Sequence, residues 1–228
     1  PIIPGVSIVA NTGVSICAGA TATFTATPIN GGSSPAYQWK INGYNVGNNS
    51  NTFSTSVLSN GDQVSCELIS NADCVSAYPA MSNILTMMIT QNPTASNAGP
   101  DQNLCNLTTA ILAANNPVIG AGSWSVVSGI ANISDTLSPT TSVTGLITGS
   151  VTLRWKISNP PCTSSYDDVT ISVSASPTIA NAGPDQDLCN LTYATLSANT
   201  PNVGNGSWSV VNVSGVGSVT IADPLSPN

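Results

Sequence analysis

Histidine is missing from this chain, and charge of either sign is scarce: 6% of residues are charged, with three basic side chains against ten acidic ones. Without histidine, a serine or cysteine nucleophile lacks its usual base. Glu67 is the only glutamate, it falls on the outward phase of a strand-like run, and no pair of carboxylates sits in a supporting motif, so no catalytic residue is expected. Lys40, Arg154 and Lys156 cannot form the basic patch that neutralises nucleic-acid phosphates, and a net charge of −7 disfavours anionic lipid. No apolar run approaches the roughly 18–20 residues of a membrane span, so no direct membrane insertion is expected. No CxxC spacing and no D-x-D-x-D-G loop is present, so neither a cofactor nor a metal is expected. Nowhere does a 3.6-residue apolar period survive, which leaves helices out. Pro1–Gly5 has neither a basic region nor an apolar core of a signal peptide and reads as the start of an internal fragment or a matured chain.

What the chain does have is a long internal repeat. Asn97–Val127, NAGPDQNLCNLTTAILAANNPVIGAGSWSVV, returns as Asn181–Val211, NAGPDQDLCNLTYATLSANTPNVGNGSWSVV, an offset of 84 from Asn97 to Asn181, Cys105 to Cys189 and Trp124 to Trp208. A period of that length is one small domain rather than one turn of a solenoid. The apolar share of 41%, much of it Val, Ile and Leu in alternating positions, separates the chain from disordered sequence despite its low charge.

The strand pattern follows from alternation. Ala22, Phe24 and Ala26 share a face, as do Tyr37, Trp39 and Ile41 in Ala36–Ile41, Val64, Cys66 and Leu68 in Gln63–Ile69, and Val151, Leu153, Trp155 and Ile157 in Ser150–Ser158. Asn42-Gly43 is a strong hairpin signal. Residues 1–8 read as a linker entering a strand, and Asn83–Thr90 as a closing strand. In the second module the expected strands are Gln102–Cys105, Thr108–Ala113, Ser123–Val127, Ala131–Ile133, Ser142–Leu146, Ser150–Ser158 and Asp168–Ser174. About seven short strands, with turn signals every 8–12 residues or so, match an immunoglobulin-like sandwich. The expected architecture is all-β: a tandem of immunoglobulin-like β-sandwich domains at 1–91, 92–176 and 177–228, the third incomplete. Leu225-Ser226-Pro227 repeats Leu137-Ser138-Pro139 at an offset of 88, which puts a four-residue insertion within Asn212–Asp223 and leaves Thr140–Ser176 without a counterpart. A sandwich short of those strands needs them from a continuing chain or from a neighbour. The linkers Gln91–Ser96 and Pro177–Ala180 are short and carry Pro93 and Pro177, so the modules are expected to be semi-rigid relative to one another.

Six cysteines in an all-β array poor in lysine suggest an oxidising compartment. In the second module Cys105 and Cys162 are the only two and form the default pair. In the first, Cys17 and Cys74 hold the corresponding places, which favours Cys17–Cys74 with Cys66 as a buried thiol; Cys17–Cys66 is the alternative. Both default pairs would join an early strand to a late loop, which can lie at opposite ends of a sandwich. Cys189 should find its partner beyond Asn228. Asp101, Asp167, Asp168, Asp185 and Asp187 lie near expected junctions and are read as turn and strand-start residues rather than calcium ligands. Asn48, Asn106, Asn132, Asn190, Asn205 and Asn212 head N-x-S/T sequons, which arise by chance in so Asn/Ser/Thr-rich a chain. Tyr44, Tyr78, Tyr166 and Tyr193 would mark a binding surface if they clustered at one loop end, while the tryptophans read as core.

The pattern NAGPDQxLCNLTxAxLxAN…GxGSWSVV…LSP…TxxVTGLxxGxVTLRWxISNxxC…DDVTI resembles the PKD-like/Ig-like repeats of very large surface proteins of Bacteroidota. The first module, ICAGATATFTATPINGGSSPAYQWKINGYNVGNNSNTFSTSVLSNGDQVSCELISNADC, resembles a second repeat type of the same proteins. The resemblance implies a sandwich fold, export by the type IX route, and a non-catalytic role as a stalk or spacer segment of a long extracellular adhesin or filament; the alternative is a module that binds glycan or protein through its loops. Expected partners are the neighbouring domains of the same chain, other copies in a fibre, or a surface glycan or protein. Asp135-Thr136-Leu137 resembles the D-S/T-hydrophobic O-glycosylation site of that phylum, which makes Thr136 a candidate glycan site.

Overall fold

Alternation of apolar and polar residues, at one side chain per face every second position, becomes strand throughout. The computed structural model describes residues 2–75, 79–211 and 218–227, and among these every regular element is a strand. Among the described residues no helix is long and apolar enough to cross a membrane. In chain order the first core unit contains β1 (Gly5–Ala10), β2 (Ser15–Cys17), β3 (Ala22–Ile29), β4 (Ala36–Ile41), β5 (Tyr44–Val46), β6 (Thr52–Thr55), β7 (Gln63–Ile69), β8 (Ala80–Met81), β9 (Leu85–Thr86) and β10 (Met88–Thr90). The second contains β11 (Gln102–Cys105), β12 (Thr109–Ile111), β13 (Ala121–Ser128), β14 (Asn132–Ile133), β15 (Ser142–Thr144), β16 (Gly149–Ser158) and β17 (Ser165–Ser174).

In the first unit a β1-β3-β6 sheet faces a β5-β4-β7-β8 sheet, with β9 also on β7. Ala22, Phe24 and Ala26 come from one sheet and Trp39, Val64 and Cys66 from the other, all buried in one core. The Trp39 ring lies 6.2 Å from that of Phe24 and 5.7 Å from that of Phe53, and its indole N–H donates to the Ser50 carbonyl. Asn42 and Gly43 both take positive φ, 53° and 81°, the mirror-image turn that matches the twist of the β4–β5 hairpin. Two elements depart from the sequence reading. Residues 5–8, read as linker, belong to β1, which pairs with β3 from Gly5↔Ile29 onward. Ser15–Cys17 forms a short strand that pairs in parallel with β10.

The second unit packs a β11-β17-β16-β13 sheet against a β12-β15-β14 sheet. Trp124 and Trp155, 5.1 Å apart between ring centres, fill its core with Leu112, Val143, Leu153, Ile157, Val169 and Ile171. Gly122 is required here: a Cβ on it would meet the Trp155 ring. Both units close in the same way, with an early strand laid parallel to the last one, β2 on β10 and β11 on β17. Because the paired strands run the same way, the chain leaves each unit beside the C-terminal end of that early strand.

Residues 177–211 and 218–227 carry turns and loops, with Trp208 half-buried. Tyr78, the sequon at Asn212 and much of the proposed insertion lie outside the described residues.

Candidate functional site

The junction between the two units is where the chemistry-bearing residues meet. Cys17 ends β2 opposite Thr90, the last residue of β10, and the next backbone N–H, that of Ala18, donates to the Thr90 carbonyl. The chain then runs straight into the second unit. Cys162, in the β16–β17 loop, lies against this exit: its Sγ is 3.5 Å from the Thr90 carbonyl oxygen and 3.4 Å from that of Gln91. Cys17 and Cys162 are joined by a disulfide, with Cα atoms 5.3 Å apart. Around it, Asn159 Nδ2 donates to Gln91 O at 2.7 Å, and Asn92 Nδ2 to Ala18 O at 3.4 Å.

This bond corrects the expected pairs Cys105–Cys162 and Cys17–Cys74. Cys105 faces Ser174 at the end of β17, whereas Cys162 precedes its start. The ten residues of β17 separate them by roughly 30 Å at about 3.3 Å per residue, against the 7 Å or so that a disulfide tolerates. Likewise Cys74 lies by Ile2, whose N–H donates to its carbonyl, at the entrance end of the first unit, while Cys17 is at the exit. Cys74, Cys105 and Cys189 are exposed free thiols. Cys66 is a buried free thiol, as read from its strand phase. Burial pushes it up to about 11; a backbone hydrogen bond at Gln38 opposes this and the Glu67 carboxylate adds to it.

The linker is bound to the following unit through the side chains of Thr94 and Asn115. Thr94 Oγ1 accepts from the N–H groups of Val118 and Ile119, Asn115 Nδ2 donates to Ala95 O, and Asn115 Oδ1 accepts from Asn97 N. The next junction repeats these bonds one period on. Thr178 Oγ1 accepts from Asn202 and Val203, Asn199 Nδ2 donates to Ile179 O, and Asn199 Oδ1 accepts from Asn181 N. Trp124 Nε1 donates to Ser138 O, and Trp208 Nε1 to Ser226 O. Gly99 and Gly183 share a left-handed φ, 84° and 81°, with the carbonyls of Ala113 and Ser197 where a Cβ would stand.

Asp167 and Asp101 serve the backbone. Asp167 Oδ2 accepts from Ala98 N and Asp101 Oδ1 from Thr170 N, both at 2.8 Å. Asp168 is gripped by Arg154 through two bonds, and the guanidinium holds its carboxyl below the usual range. Arg154 also sits over the Tyr166 ring, 4.1 Å from its centre. Among the described residues no cluster of three His, Cys, Asp or Glu side chains could hold a metal ion. Glu67 is tied to Lys40 at 2.7 Å. Tyr44, Tyr166 and Tyr193 are exposed, each on a different segment. Thr136 is exposed in a turn whose Asp135 carboxylate accepts from Leu137 N and whose Thr136 carbonyl accepts from Trp124 N.

The third segment carries a groove of about 670 Å³ lined by Ala182, Ala198, Gly206, Trp208 and Leu225 among others. A Cβ on Gly206 would meet nothing within 4 Å, whereas one on its counterpart Gly122 would run into Trp155. The groove therefore occupies the place that Trp155 fills in the second unit.

No protein-family model matches the chain, and no curated protein matches its sequence. Among solved structures it is similar to the N-terminal eight Ig domains of Down Syndrome Cell Adhesion Molecule isoform 1.30.30, with a TM-score of 0.50 and 11% identity, over 76% of this chain and 25% of that one. The PKD domain from KIAA 1837 protein matches at a TM-score of 0.33 and 20% identity, over 41% of this chain and 95% of that one. The fibronectin(III)-like modules of Clostridium thermocellum CbhA match at 0.40 and 12%, over 74% and 94%. The first of these agrees with the strand order and the two cores: the chain is all-β and has the fold of tandem immunoglobulin-like sandwich domains.

Proposed function

We propose that residues 1–228 are a non-catalytic stalk or spacer segment of a long extracellular surface adhesin or filament, built from modules at 1–91, 92–176 and 177–228. The observation that carries this reading is the Cys17–Cys162 bond across the junction. Tension entering through β1 and β2 crosses at Cys17 to Cys162 and bypasses everything between them. A loop of 145 residues would otherwise pay out roughly 500 Å at about 3.5 Å per residue. A spacer benefits from that restraint, since its length stays fixed even when a core gives way. The bond also supports an oxidising, extracellular location. Partners on this reading are the adjoining modules and other copies in a fibre. A cell-surface location, type IX export and an origin in Bacteroidota rest on the repeat resemblance, and a glycan on Thr136 on the exposed Asp135-Thr136-Leu137 turn.

The test is a replacement. In the producing cell, residues 1–228 are exchanged for unrelated tandem sandwich domains of equal length, and surface attachment is measured. Retained attachment is expected of a spacer. Loss of attachment at unchanged surface display overturns the reading and makes these loops the binding site.

A further inference from the structure

Cys105 stands to the third segment as Cys17 stands to the second unit. Each is the last residue of an early strand paired in parallel with the closing strand, Cys17 with Thr90 and Cys105 with Ser174. In each case the following N–H, of Ala18 or Asn106, donates to that strand-end carbonyl at 2.8 Å. Cys105 Sγ lies 4.0 Å from the carbonyl oxygen of Ala175, the counterpart of Gln91. Beyond that point the two linkers make the same hydrogen bonds to the same positions. Cys17 is bonded across its junction; Cys105, in the same setting, is not.

The groove on the third segment points independently to a hairpin as the partner of this junction. In the second unit, the space beside Gly122 and Trp124 is filled by Trp155 of β16. Cys162 lies in the loop that joins β16 to β17. One hairpin thus carries both the core tryptophan and the bonding cysteine. The space beside Gly206 and Trp208 is open, and the thiol at the junction is unbonded.

We propose that the groove accepts a β-hairpin of the Gly149–Ser174 type where one follows it in the same chain, as in the second unit, with a tryptophan against Gly206 and Trp208, and that the cysteine in its loop forms a disulfide with Cys105. The array is then stapled at successive junctions, each unit giving one cysteine forward and one back. Cys74, at the entrance of the first unit, is the backward-facing member there, and Cys189 the forward-facing member of the third. The bond forms by thiol–disulfide exchange with a small-molecule disulfide of the oxidised-glutathione class. The Cys105 thiolate attacks the reagent and releases one thiolate; the hairpin thiolate attacks the mixed disulfide and releases the second. The two protein thiols lose two protons and two electrons, and the reagent is reduced to two thiols. This inference rests on repeat geometry and stands apart from the spacer reading.

To test it, a copy of residues 140–176 is joined after Asn228, and the extended chain is folded in a glutathione redox buffer. Free thiols are blocked, and the disulfides are mapped by peptic digestion without reductant. Hydrogen exchange is followed over residues 181–211. The expected result is two links, Cys17–Cys162 and Cys105 to the copy's cysteine, with residues 181–211 at least about tenfold slower to exchange than in the 1–228 chain. A Cys105→Ser variant should keep that protection and release the copy's cysteine as a free thiol. Protection with Cys105 unbonded, or with the copy's cysteine bonded to Cys189, overturns the staple. Absence of protection, with or without a link, overturns the groove's assignment. Either failure leaves the replacement experiment unaffected.

Discussion

Removing the Cys17–Cys162 bond should separate the unfolding of the two core units. The argument turns on where the bond sits. Cys162 lies beside Gln91, and Cys17 opposite Thr90, so both sulfurs are next to the linker. If the first unit unfolds while the second stays folded, the bond closes a loop of about 74 residues; in the reverse case the loop is about 71. The loop-closure relation makes either worth about 4.4 kcal/mol. With both units unfolded there is a single loop of 145 residues, worth about 5 kcal/mol on the same relation. Once one unit has opened, the bond therefore resists opening of the other by only about 0.6 kcal/mol. It strongly opposes partial unfolding and barely opposes the last step, so it couples the units by about 4 kcal/mol. The assay is urea denaturation of the wild type and of the Cys17→Ser/Cys162→Ser chain, followed by tryptophan fluorescence and far-UV circular dichroism. The wild type should unfold in one transition. The double variant should show two, their mean midpoint lowered by about 0.8–2.5 M urea, because about 5 kcal/mol is spread over summed m-values of about 2–6 kcal/mol/M. Equal midpoints and equal cooperativity in the two chains would refute the coupling argument.

Gly122→Ala should destabilise the second unit by about 3 kcal/mol or more, because the new methyl must displace the buried Trp155 ring; thermal melts should show a midpoint lower by on the order of 10–20 °C. Gly206→Ala in the 1–228 chain, facing open space, should change stability by less than about 0.5 kcal/mol; an equal loss from both would sink the packing argument. Cys66 should resist a disulfide reagent at pH 8 until the protein unfolds, while Cys74, Cys105 and Cys189 react at once. Its proton is held more tightly in the folded state, so its contribution is constant below the ordinary 9.0 and declines as pH rises toward about 11. A Cys66→Ala chain should lose less stability between those pH values than the wild type, and four fast thiols in the native wild type would contradict the burial.

The β4 and β7 strands and their inward faces were legible because alternation is a local property: Trp39, Val64, Cys66 and Leu68 are all buried, as their phase requires. The Asn42-Gly43 turn was legible for the same reason, since positive φ at both positions is a cost that only such residues bear lightly. β1 and β2 were harder. Gly5–Ala10 begins in a run that reads as linker, and Ser15–Cys17 is only three residues long; both become strands by pairing with β3 and β10, contacts remote in sequence.

The disulfide marks the boundary most sharply. The sequence by itself determined that Cys105 corresponds to Cys189, because a repeat carries equivalent positions forward, and that Cys17 and Cys74 hold places in their module like those of Cys105 and Cys162. It also placed Cys66 in a core, because strand phase decides burial. Which thiols meet was decided by tertiary structure alone. Pairing by count assumes that partners share a module, whereas bonding requires sulfurs at the same end of one. The parallel β2–β10 closure puts Cys17 at the exit of its unit, the β16–β17 loop puts Cys162 at the entrance of the next, and a short linker brings exit and entrance together.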